Sequence, residues 1–166
     1  MCLSILSDLK SHNLLIHRGI VKLCDFGLCR NTNATAGTPA YMAPELFEAV
    51  PRGGPAADVY AFGVLLAEVF TGEIPWVGYD VDALRRAVTR GDRPRLPSGL
   101  DAPPELRRLA ERCWQEAPSE RPDFTQILSE LTALLDATPQ VSELESLDAG
   151  GGGFGDALDG LMGNGK

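Results

Sequence analysis

The chain has 166 residues, of which 44% are hydrophobic, enough for one globular domain with its own core. Its 15 basic and 23 acidic residues give a net charge of −8, which argues against a nucleic acid or an anionic membrane surface as the main partner. The longest apolar stretch, residues 59 to 70, is too short and too interrupted to cross a bilayer, and residues 1 to 7 do not have the pattern of a secretory leader.

The four cysteines show neither C-x-x-C spacing nor a neighbouring cluster of histidines; they are Cys2, Cys24, Cys29 and Cys113. Buried free thiols in a reducing compartment fit this pattern better than zinc ligands or disulfides. We therefore expect a soluble protein of the cytoplasm, with the nucleus as a further location.

In chain order, the first polar cluster lies in residues 8 to 13, where Asp8, Lys10 and Asn13 stand just before an apolar run. β-Branched residues then flank Gly19, which predicts two short strands, over residues 14–16 and 20–24, joined by a turn. A second acidic position, Asp25, follows directly. The hairpin therefore separates two polar motifs.

Residues 25 to 40 are small and polar without periodicity, which indicates a loop. This loop contains Thr32, Thr35 and Thr38. Because it begins beside the polar motifs, it is a candidate for regulation.

The chain from residue 58 to about 137 is predicted to be a helical bundle. A helix opened by Asp58 and closed by Gly72 is apolar nearly all round, as expected in the middle of a larger helical domain. A weaker amphipathic helix ends at Gly91, and two further helices follow Pro104 and Pro122. Apolar residues recur in these three helices at Val81, Leu84 and Val88, at Leu106, Leu109, Ala110, Cys113 and Trp114, and at Phe124, Ile127, Leu128, Leu131 and Leu135.

The spacing Asp8-x-Lys10-x-x-Asn13, followed by an Asp-Phe-Gly turn at residues 25–27, resembles the catalytic loop and the metal-binding turn of the eukaryotic protein kinases. Later segments resemble, in order, the end of the kinase activation loop, the central buried helix and the last two helices: residues 37–45, 58–63 and 113–122. The resemblance implies a mainly α fold, a kinase C-terminal lobe with a small β-hairpin beside the catalytic loop, over residues 1–137. Residues 138–166, rich in glycine and acidic residues, are predicted to form a disordered tail.

The same resemblance implies transfer of the γ-phosphoryl group of ATP to a protein hydroxyl. Asp8 would orient the hydroxyl and accept its proton, and Lys10 would neutralise charge on the transferred group. Mg²⁺, a hard cation, would be held by Asn13 and Asp25. The residues assigned to nucleotide or metal are Asn13, Asp25, Leu15 and Cys24, with Cys24 on the floor of the nucleotide site.

Lys10 and the Gly37-Thr38 pair resemble the serine/threonine kinases rather than the tyrosine kinases, and Thr38 would then bridge Asp8 and Lys10. Residues 113–122 resemble the tyrosine-kinase-like branch, which includes the mixed-lineage and Raf-like kinases. A protein substrate or another kinase is the implied partner.

Three residues are assigned structural roles by the resemblance. Glu45 and Arg121 would form a buried ion pair between the activation segment and the late helices. Asp58 would accept backbone N–H groups from the catalytic loop, although a plain helix N-cap is an equally good interpretation.

The chain departs from the family pattern before Asp8, where Leu6-Ser7 replaces the usual His-Arg. Thr32 and Thr35 are possible phosphorylation sites, since a phosphate can order a loop by pairing with arginine. The arginine that serves this purpose in the family is missing here, but Leu6 could still pack on the phenylalanine of the 25–27 turn.

No glycine-rich phosphate loop, strand lysine or hinge precedes Asp8, so we expect the N-terminal lobe to be absent and the nucleotide affinity to be low. A truncated kinase domain is the favoured interpretation. The alternative is a short protein that no longer transfers phosphate and acts as a docking or competitor module. The 58–71 helix would leave two or three large side chains in water, at about 1.5–3 kcal/mol each, which predicts a marginally stable chain.

Overall fold

The computed structural model describes residues 8–25, 37–97 and 103–137. By its contacts, the chain divides into two compact units, Met1–Leu128 and Ser129–Lys166. Several positions discussed above lie outside the described residues: Cys2, Leu6, Ser7, Phe26, Gly27, Cys29, Thr32, Thr35 and the tail from residue 138. The structure is mainly helical with a two-stranded antiparallel sheet, as predicted.

The two strands form the predicted hairpin near the start of the described chain. Strand β1 (Leu14–His17) pairs antiparallel with β2 (Ile20–Leu23), with Leu14 opposite Leu23. Both of these leucines are partly buried and pack against the helical core. Successive side chains of a strand point to opposite faces, so the face that carries Leu14 and Leu23 is the one that anchors the base of the hairpin on the core.

The hairpin turn and the hairpin base are both fixed by backbone geometry. Arg18 and Gly19 have φ values of 50° and 72°, the left-handed conformations that a two-residue hairpin loop favours. Strand β2 ends at Leu23, one residue earlier than predicted. The Cys24 N–H nevertheless donates to the Asn13 carbonyl at 2.9 Å, so the pairing continues past the strand ends.

The predicted apolar helix is α1 (Pro55–Thr71). Proline suits the first helical position because its fixed φ matches the helix and its missing N–H is not needed there. The helix ends at Gly72, whose φ is 67° and whose N–H donates to the Glu68 carbonyl at 2.8 Å. Asp58 lies inside the first turn and Gly54 occupies the N-cap, so the interpretation of Asp58 as an N-cap is wrong.

Three further helices confirm the predicted bundle: α2 (Val81–Thr89), α3 (Pro104–Cys113) and α4 (Phe124–Ala137). Asp80 caps α2, since its Oδ1 accepts from the Ala83 N–H at 2.7 Å. Short 3-10 turns occur at Ser11–Asn13, Pro39–Tyr41, Pro44–Phe47 and Pro118–Glu120. Across the described ranges, no helix combines the length and apolarity needed to span a bilayer.

The core is built where α1 packs against α3. Val64 on α1 and Ala110 on α3 have no exposed surface, and Leu109 is 1% exposed. Gly63 allows this close approach, because a Cβ added there would lie 2.8 Å from the Cβ of Cys113. The contact between the two helices therefore depends on glycine at position 63 as well as on the buried apolar side chains.

The uncovered face of α1 is smaller than predicted. Val69 is exposed, but Phe62, Leu66 and Phe70 are half-buried. Phe62 is partly covered by Phe124, since the two rings meet edge to face with centroids 6.0 Å apart. One large apolar side chain of α1 is therefore exposed, against the two or three expected.

Candidate active site

Asp8 is the centre of the polar cluster, and both of its carboxylate oxygens accept hydrogen bonds. Oδ1 accepts from the Thr38 N–H at 2.9 Å and from the Thr38 hydroxyl at 3.0 Å. Oδ2 accepts from Lys10 Nζ at 2.7 Å and from Asn13 Nδ2 at 3.4 Å. The Asp8 side chain is 12% exposed, so these donors hold the carboxylate in one orientation while leaving it a path to solvent.

Lys10 and Thr38 also contact each other. Lys10 Nζ donates to Thr38 Oγ1 at 2.8 Å, which joins two segments 28 positions apart in the chain. Asp8, Lys10 and Thr38 thus form a closed triangle of hydrogen bonds. The structure places Thr38 between the other two, as the sequence predicts; the catalytic role of each residue stays a prediction.

The surroundings of Asp8 favour its ionised form. Burial opposes ionisation, but hydrogen bonds from Lys10 and Thr38, together with the ammonium charge of Lys10, outweigh it and hold the pKa of the Asp8 carboxyl below its ordinary value. At neutral pH the group is therefore a carboxylate that is oriented by its neighbours. A carboxylate of this kind can orient a hydroxyl donor and accept its proton.

Asn13 is fixed between this triangle and the hairpin. Its side chain is buried, its Nδ2 donates to the Asp8 carbonyl at 2.8 Å, and its own N–H donates to the Lys10 carbonyl at 3.0 Å. The backbone bond from Cys24 to Asn13 brings the residue after Cys24 to the same end of the hairpin. That residue, Asp25, has a φ of 59°, a left-handed conformation that is uncommon for residues other than glycine.

Asn13 and Asp25 provide the donor types that Mg²⁺ prefers. Since the Asn13 amide nitrogen is engaged as a donor to Asp8, its carbonyl oxygen is the end suited to a cation. Within the described residues, no three histidine, cysteine or acidic side chains converge to form a metal cage of protein groups alone. Mg²⁺ that carries nucleotide phosphates usually takes only one or two protein carboxylates, so this pair fits a metal–nucleotide complex.

Leu15 and Cys24 lie on the same face of the hairpin. Strand alternation and the β1–β2 register place them opposite to the face of Leu14 and Leu23, which packs on the core. Leu15 is 55% exposed and Cys24 is half-buried. This open face also carries Lys22, which is opposite Leu15, so Leu15 and Cys24 are the apolar part of a mixed surface beside Asp25, against which a nucleotide base could pack.

The ion pair between Glu45 and Arg121 is present and buried. The two side chains meet twice, with Nη1–Oε1 at 2.6 Å and Nη2–Oε2 at 2.9 Å, and the Arg121 side chain has no exposed surface. The remaining guanidinium donors reach the carbonyls of Ala56, Gln115 and Glu116. Because every Arg121 donor is paired, this contact joins the segment after Thr38 to the start of α1 and to the chain before α4.

Asp58 and Tyr60 are both buried in the first half of α1. The guanidinium groups of Arg93 and Arg121 lie 5.3 and 5.2 Å from the centre of the Tyr60 ring, within cation–π range. Burial raises the pKa of the Tyr60 hydroxyl to about 12, although the two arginines oppose the shift. The predicted contact of Asp58 with the catalytic loop stays a prediction.

A second polar group, formed by Ser11, Tyr41 and Glu68, lies beside the triangle and was not predicted from the sequence. Glu68 Oε1 accepts from the Ser11 hydroxyl at 2.8 Å, and Oε2 accepts from the Tyr41 hydroxyl at 2.7 Å. Burial, together with the nearby carboxylate, raises the pKa of Tyr41 to about 12. The available signal was Glu68 itself, since an acidic residue in the apolar second half of α1 calls for a partner.

Comparison with protein families gives a match over most of the chain. The family described as protein tyrosine and serine/threonine kinase matches residues 4–131. This range includes Asp8, Lys10, Asn13, Asp25 and Thr38, together with the Glu45–Arg121 pair.

Three similar proteins illustrate the relationship. The dual specificity protein kinase shkC of Dictyostelium discoideum is 36% identical over 154 residues, which is 85% of this chain and 29% of shkC. The serine/threonine/tyrosine-protein kinase HT1 of Arabidopsis thaliana is 39% identical over 132 residues, 75% of this chain and 33% of HT1. Human mitogen-activated protein kinase kinase kinase 11 is 39% identical over 141 residues, 76% of this chain and 16% of that protein. The chain thus spans a third or less of the length of these relatives.

Proposed function

The chain belongs to the family of protein tyrosine and serine/threonine kinases, and on that premise we propose that residues 1–137 are the C-terminal lobe of a serine/threonine kinase domain. The proposed reaction transfers the γ-phosphoryl group of Mg·ATP to a serine or threonine hydroxyl of a protein. The observation that carries this proposal is the triangle of Asp8, Lys10 and Thr38. Residues 138–166 are proposed to be a tail rich in glycine and acidic residues.

In the proposed reaction, the substrate hydroxyl oxygen bonds to the γ-phosphorus as the bond from that phosphorus to the β,γ-bridging oxygen breaks, and ADP leaves. Asp8 orients the hydroxyl and takes its proton, for which its lowered pKa keeps it ionised. Lys10 places its ammonium beside the carboxylate and can also reach the transferred group. Thr38 holds the two side chains in register.

Two further pairs of residues would hold the nucleotide. Mg²⁺, when bound, neutralises charge on the phosphates. Asn13 and Asp25 are proposed as its protein ligands, because they offer an amide oxygen and a carboxylate at one end of the hairpin. Leu15 and Cys24 are proposed to contact the base, because they share the hairpin face that the core leaves open.

The serine/threonine specificity and the tyrosine-kinase-like lineage are proposals with separate support. Thr38 contacts both Asp8 and Lys10, the arrangement expected of a serine/threonine kinase. One relative is named as a probable serine/threonine-protein kinase, another as a dual specificity protein kinase, and a third as a mitogen-activated protein kinase kinase kinase. By analogy, we propose a protein substrate, with another kinase as one possibility. A cytoplasmic location, with the nucleus as a further one, is proposed separately from the cysteine pattern.

A non-catalytic interaction module is the second proposal, and the hairpin supports it. Four of its apolar side chains are more than half exposed: Leu15 at 55%, Ile16 at 78%, Ile20 at 62% and Val21 at 59%. Ile16 and Val21 lie on one face of the hairpin and Leu15 and Ile20 on the other, so a partner protein could cover apolar side chains on either face.

Titration of the 166-residue chain with Mg·ATP, followed by thermal unfolding, tests the first proposal against the second. A saturable rise in the melting temperature that is lost in Asp25→Ala supports nucleotide binding at the proposed site. Absence of any shift in the wild-type chain would mean either a fragment of a kinase domain that does not bind nucleotide by itself or an interaction module.

The catalytic role of Asp8 is tested by Asp8→Asn in any form of the protein that shows turnover. We expect nearly complete loss of phosphoryl transfer, since an amide cannot accept the proton. One amide position also loses its hydrogen-bond donors, so the melting temperature is measured alongside to show that the variant is still folded at the assay temperature. Undiminished turnover in this variant would remove Asp8 from the mechanism.

A further inference from the structure

A cleft opens where α1 ends and the chain turns into α2. Its volume is about 290 Å³, and its lining comes from two segments, within residues 67–79 and 93–95, which form its first and second walls. Among the described residues, those of the Asp8–Lys10–Thr38 triangle are not part of this lining. Sites for small molecules are mostly larger, so a cleft of this size suits one or two side chains of a partner.

The first wall presents apolar side chains to solvent from an ordered loop. Ile74 is 58% exposed, Val77 75% and Tyr79 50%. The Tyr79 N–H donates to the Trp76 carbonyl at 3.1 Å, and the rings of these two residues meet edge to face with centroids 5.4 Å apart. Because the loop is already ordered, little conformational freedom is lost when a partner covers its apolar groups.

The second wall carries Arg93 and Arg95, and its backbone is held on both sides of Arg95. The Arg93 guanidinium is used within the fold, since it donates to Glu116 Oε2 at 2.5 Å. The Leu96 carbonyl accepts from Arg107 on α3 at 3.0 Å. Arg95 is exposed, and no hydrogen bond or ion pair within the described ranges uses its guanidinium. The wall therefore offers, at a fixed place, a positive charge that the described residues do not neutralise.

The surface that leads to the second wall is basic, although the chain as a whole is acidic. Residues 85–95 contain five arginines and one aspartate, whereas the net charge of the chain is −8. Arg86, in the second half of α2, is exposed like Arg95. Glu73 gives the first wall the opposite sign. Charge complementarity therefore favours an acidic residue of the partner at the second wall and disfavours a basic one there.

We propose that this cleft docks a segment of a partner protein that combines one large apolar side chain with an acidic residue close to it in sequence. The apolar side chain lies between the walls against Ile74 and Tyr79, and the carboxylate pairs with Arg95. A concave site of this size fits a side chain better than it fits a flat bilayer, so a protein segment is favoured over an anionic membrane. The proposal does not rest on phosphoryl transfer, because it uses none of the residues assigned to that reaction.

Binding of short peptides to the full 166-residue chain tests the proposal. The peptides form a library with leucine or phenylalanine fixed at the centre, glutamate or lysine fixed at each other position in turn, and mixtures elsewhere. We expect at least one position at which glutamate peptides bind about threefold or more tightly than lysine peptides, since exposed charge pairs have modest energies. The preferred peptide should shift the NMR signals of the Tyr79 amide and the Trp76 indole.

Substitutions in the two walls should change this binding in different ways. Arg95→Glu should reverse the preference towards lysine, and Arg95→Gln should abolish it, which decides the matter if the first variant does not fold. Ile74→Ser should weaken both kinds of peptide alike, about fivefold or more, because it removes apolar contact area. Arg18→Glu and Ile16→Ser are the matched controls, since they make the same kinds of change at exposed positions of the hairpin and should bind as wild type does.

Three results would overturn the proposal. One is a library in which no position prefers glutamate to lysine. Another is a preference that Arg18→Glu changes as much as Arg95→Glu, which indicates the overall charge of the chain rather than the cleft. The third is binding to phosphatidylserine vesicles that exceeds binding to every peptide and is lost in Arg95→Glu, which makes this surface a membrane contact. Since none of these readouts requires phosphoryl transfer, a failed kinase assay leaves the docking cleft standing, and a failed peptide test leaves the proposed function standing.

Discussion

The hairpin and helix α1 lie in the same compact unit and carry similar side chains, yet their surroundings are opposite. Val64 on α1 has no exposed surface, whereas Val21 on β2 is 59% exposed and Ile16 on β1 is 78% exposed. α1 is enclosed by α3 and by 3-10 turns, while the hairpin contacts the core through Leu14 and Leu23 at its base. An apolar sequence therefore indicates which side chains are available for burial, and the neighbouring elements decide which of them are buried.

The proposed active site lies between these two regions. Asp8 and Asn13 stand at the base of the hairpin, where the backbone is paired. Asp8 accepts from Thr38, and Ser11, between Asp8 and Asn13 in the chain, donates to Glu68 of α1. An isolated two-stranded hairpin is only marginally stable in water. The geometry of the site should therefore depend more on the helical core than on the exposed hairpin tip.

The largest effect is expected from breaking the buried ion pair in the helical region. Glu45→Ala leaves the Arg121 guanidinium buried without its carboxylate, at a cost of about 3–5 kcal/mol in the free energy of unfolding. Urea denaturation of the full chain measures this cost. The control is Glu105→Ala, which breaks the exposed pair with Arg108 and should cost about 1 kcal/mol or less. Equal costs in the two variants would contradict the structural role of Glu45.

A smaller effect is expected from adding one methyl group to the core of the same region. Gly63→Ala places a Cβ 2.8 Å from that of Cys113 and 3.0 Å from the Ala110 carbonyl oxygen, so α1 and α3 must shift apart, at about 1–3 kcal/mol. Thermal and urea unfolding would measure the loss. Gly54→Ser is the matched control, because it adds a side chain in open space at an N-cap position where serine is favoured. A Gly63→Ala chain as stable as wild type would show that the helices can separate freely.

The smallest effect is expected at the exposed end of the hairpin. Ile16→Ala should change the free energy of unfolding by no more than about 0.5 kcal/mol, because the side chain is already 78% exposed. Leu14→Ala, on the same strand but facing the core, should cost about 1 kcal/mol or more, since it removes partly buried methyl groups. If Ile16→Ala costs as much as Leu14→Ala, the hairpin tip is covered in solution and does not differ from α1 in its burial.

The helices and the hairpin were predictable because each has a local cause. Apolar residues at helical spacing after prolines, and β-branched residues around Gly19, fix local conformation with little help from the rest of the chain. The start of α1 was predicted less well: Asp58 looked like an N-cap, whereas the helix begins at Pro55. A proline and an acidic residue both occur near helix starts, and only the folded chain shows which of the two marks the first residue of the helix.

The site was predictable in its residues and less so in its connections. The spacing of Asp8, Lys10 and Asn13 identified the first polar segment, and the resemblance to kinases indicated that Thr38 would join it. Glu68 was not found, because its partners lie 57 and 27 positions away and no local pattern links them. Long-range polar contacts of this kind are set by how the elements pack.

By itself, the sequence determined the family, the helical class of the fold and the residues of the first polar segment, since these depend on residue types at fixed short spacings. The tertiary structure decided which apolar side chains are buried, how Glu45 meets Arg121, and that Glu68 joins the two segments around Asp8. The physical reason is that burial and charge pairing depend on atoms brought together from distant parts of the chain, and only packing determines which atoms meet.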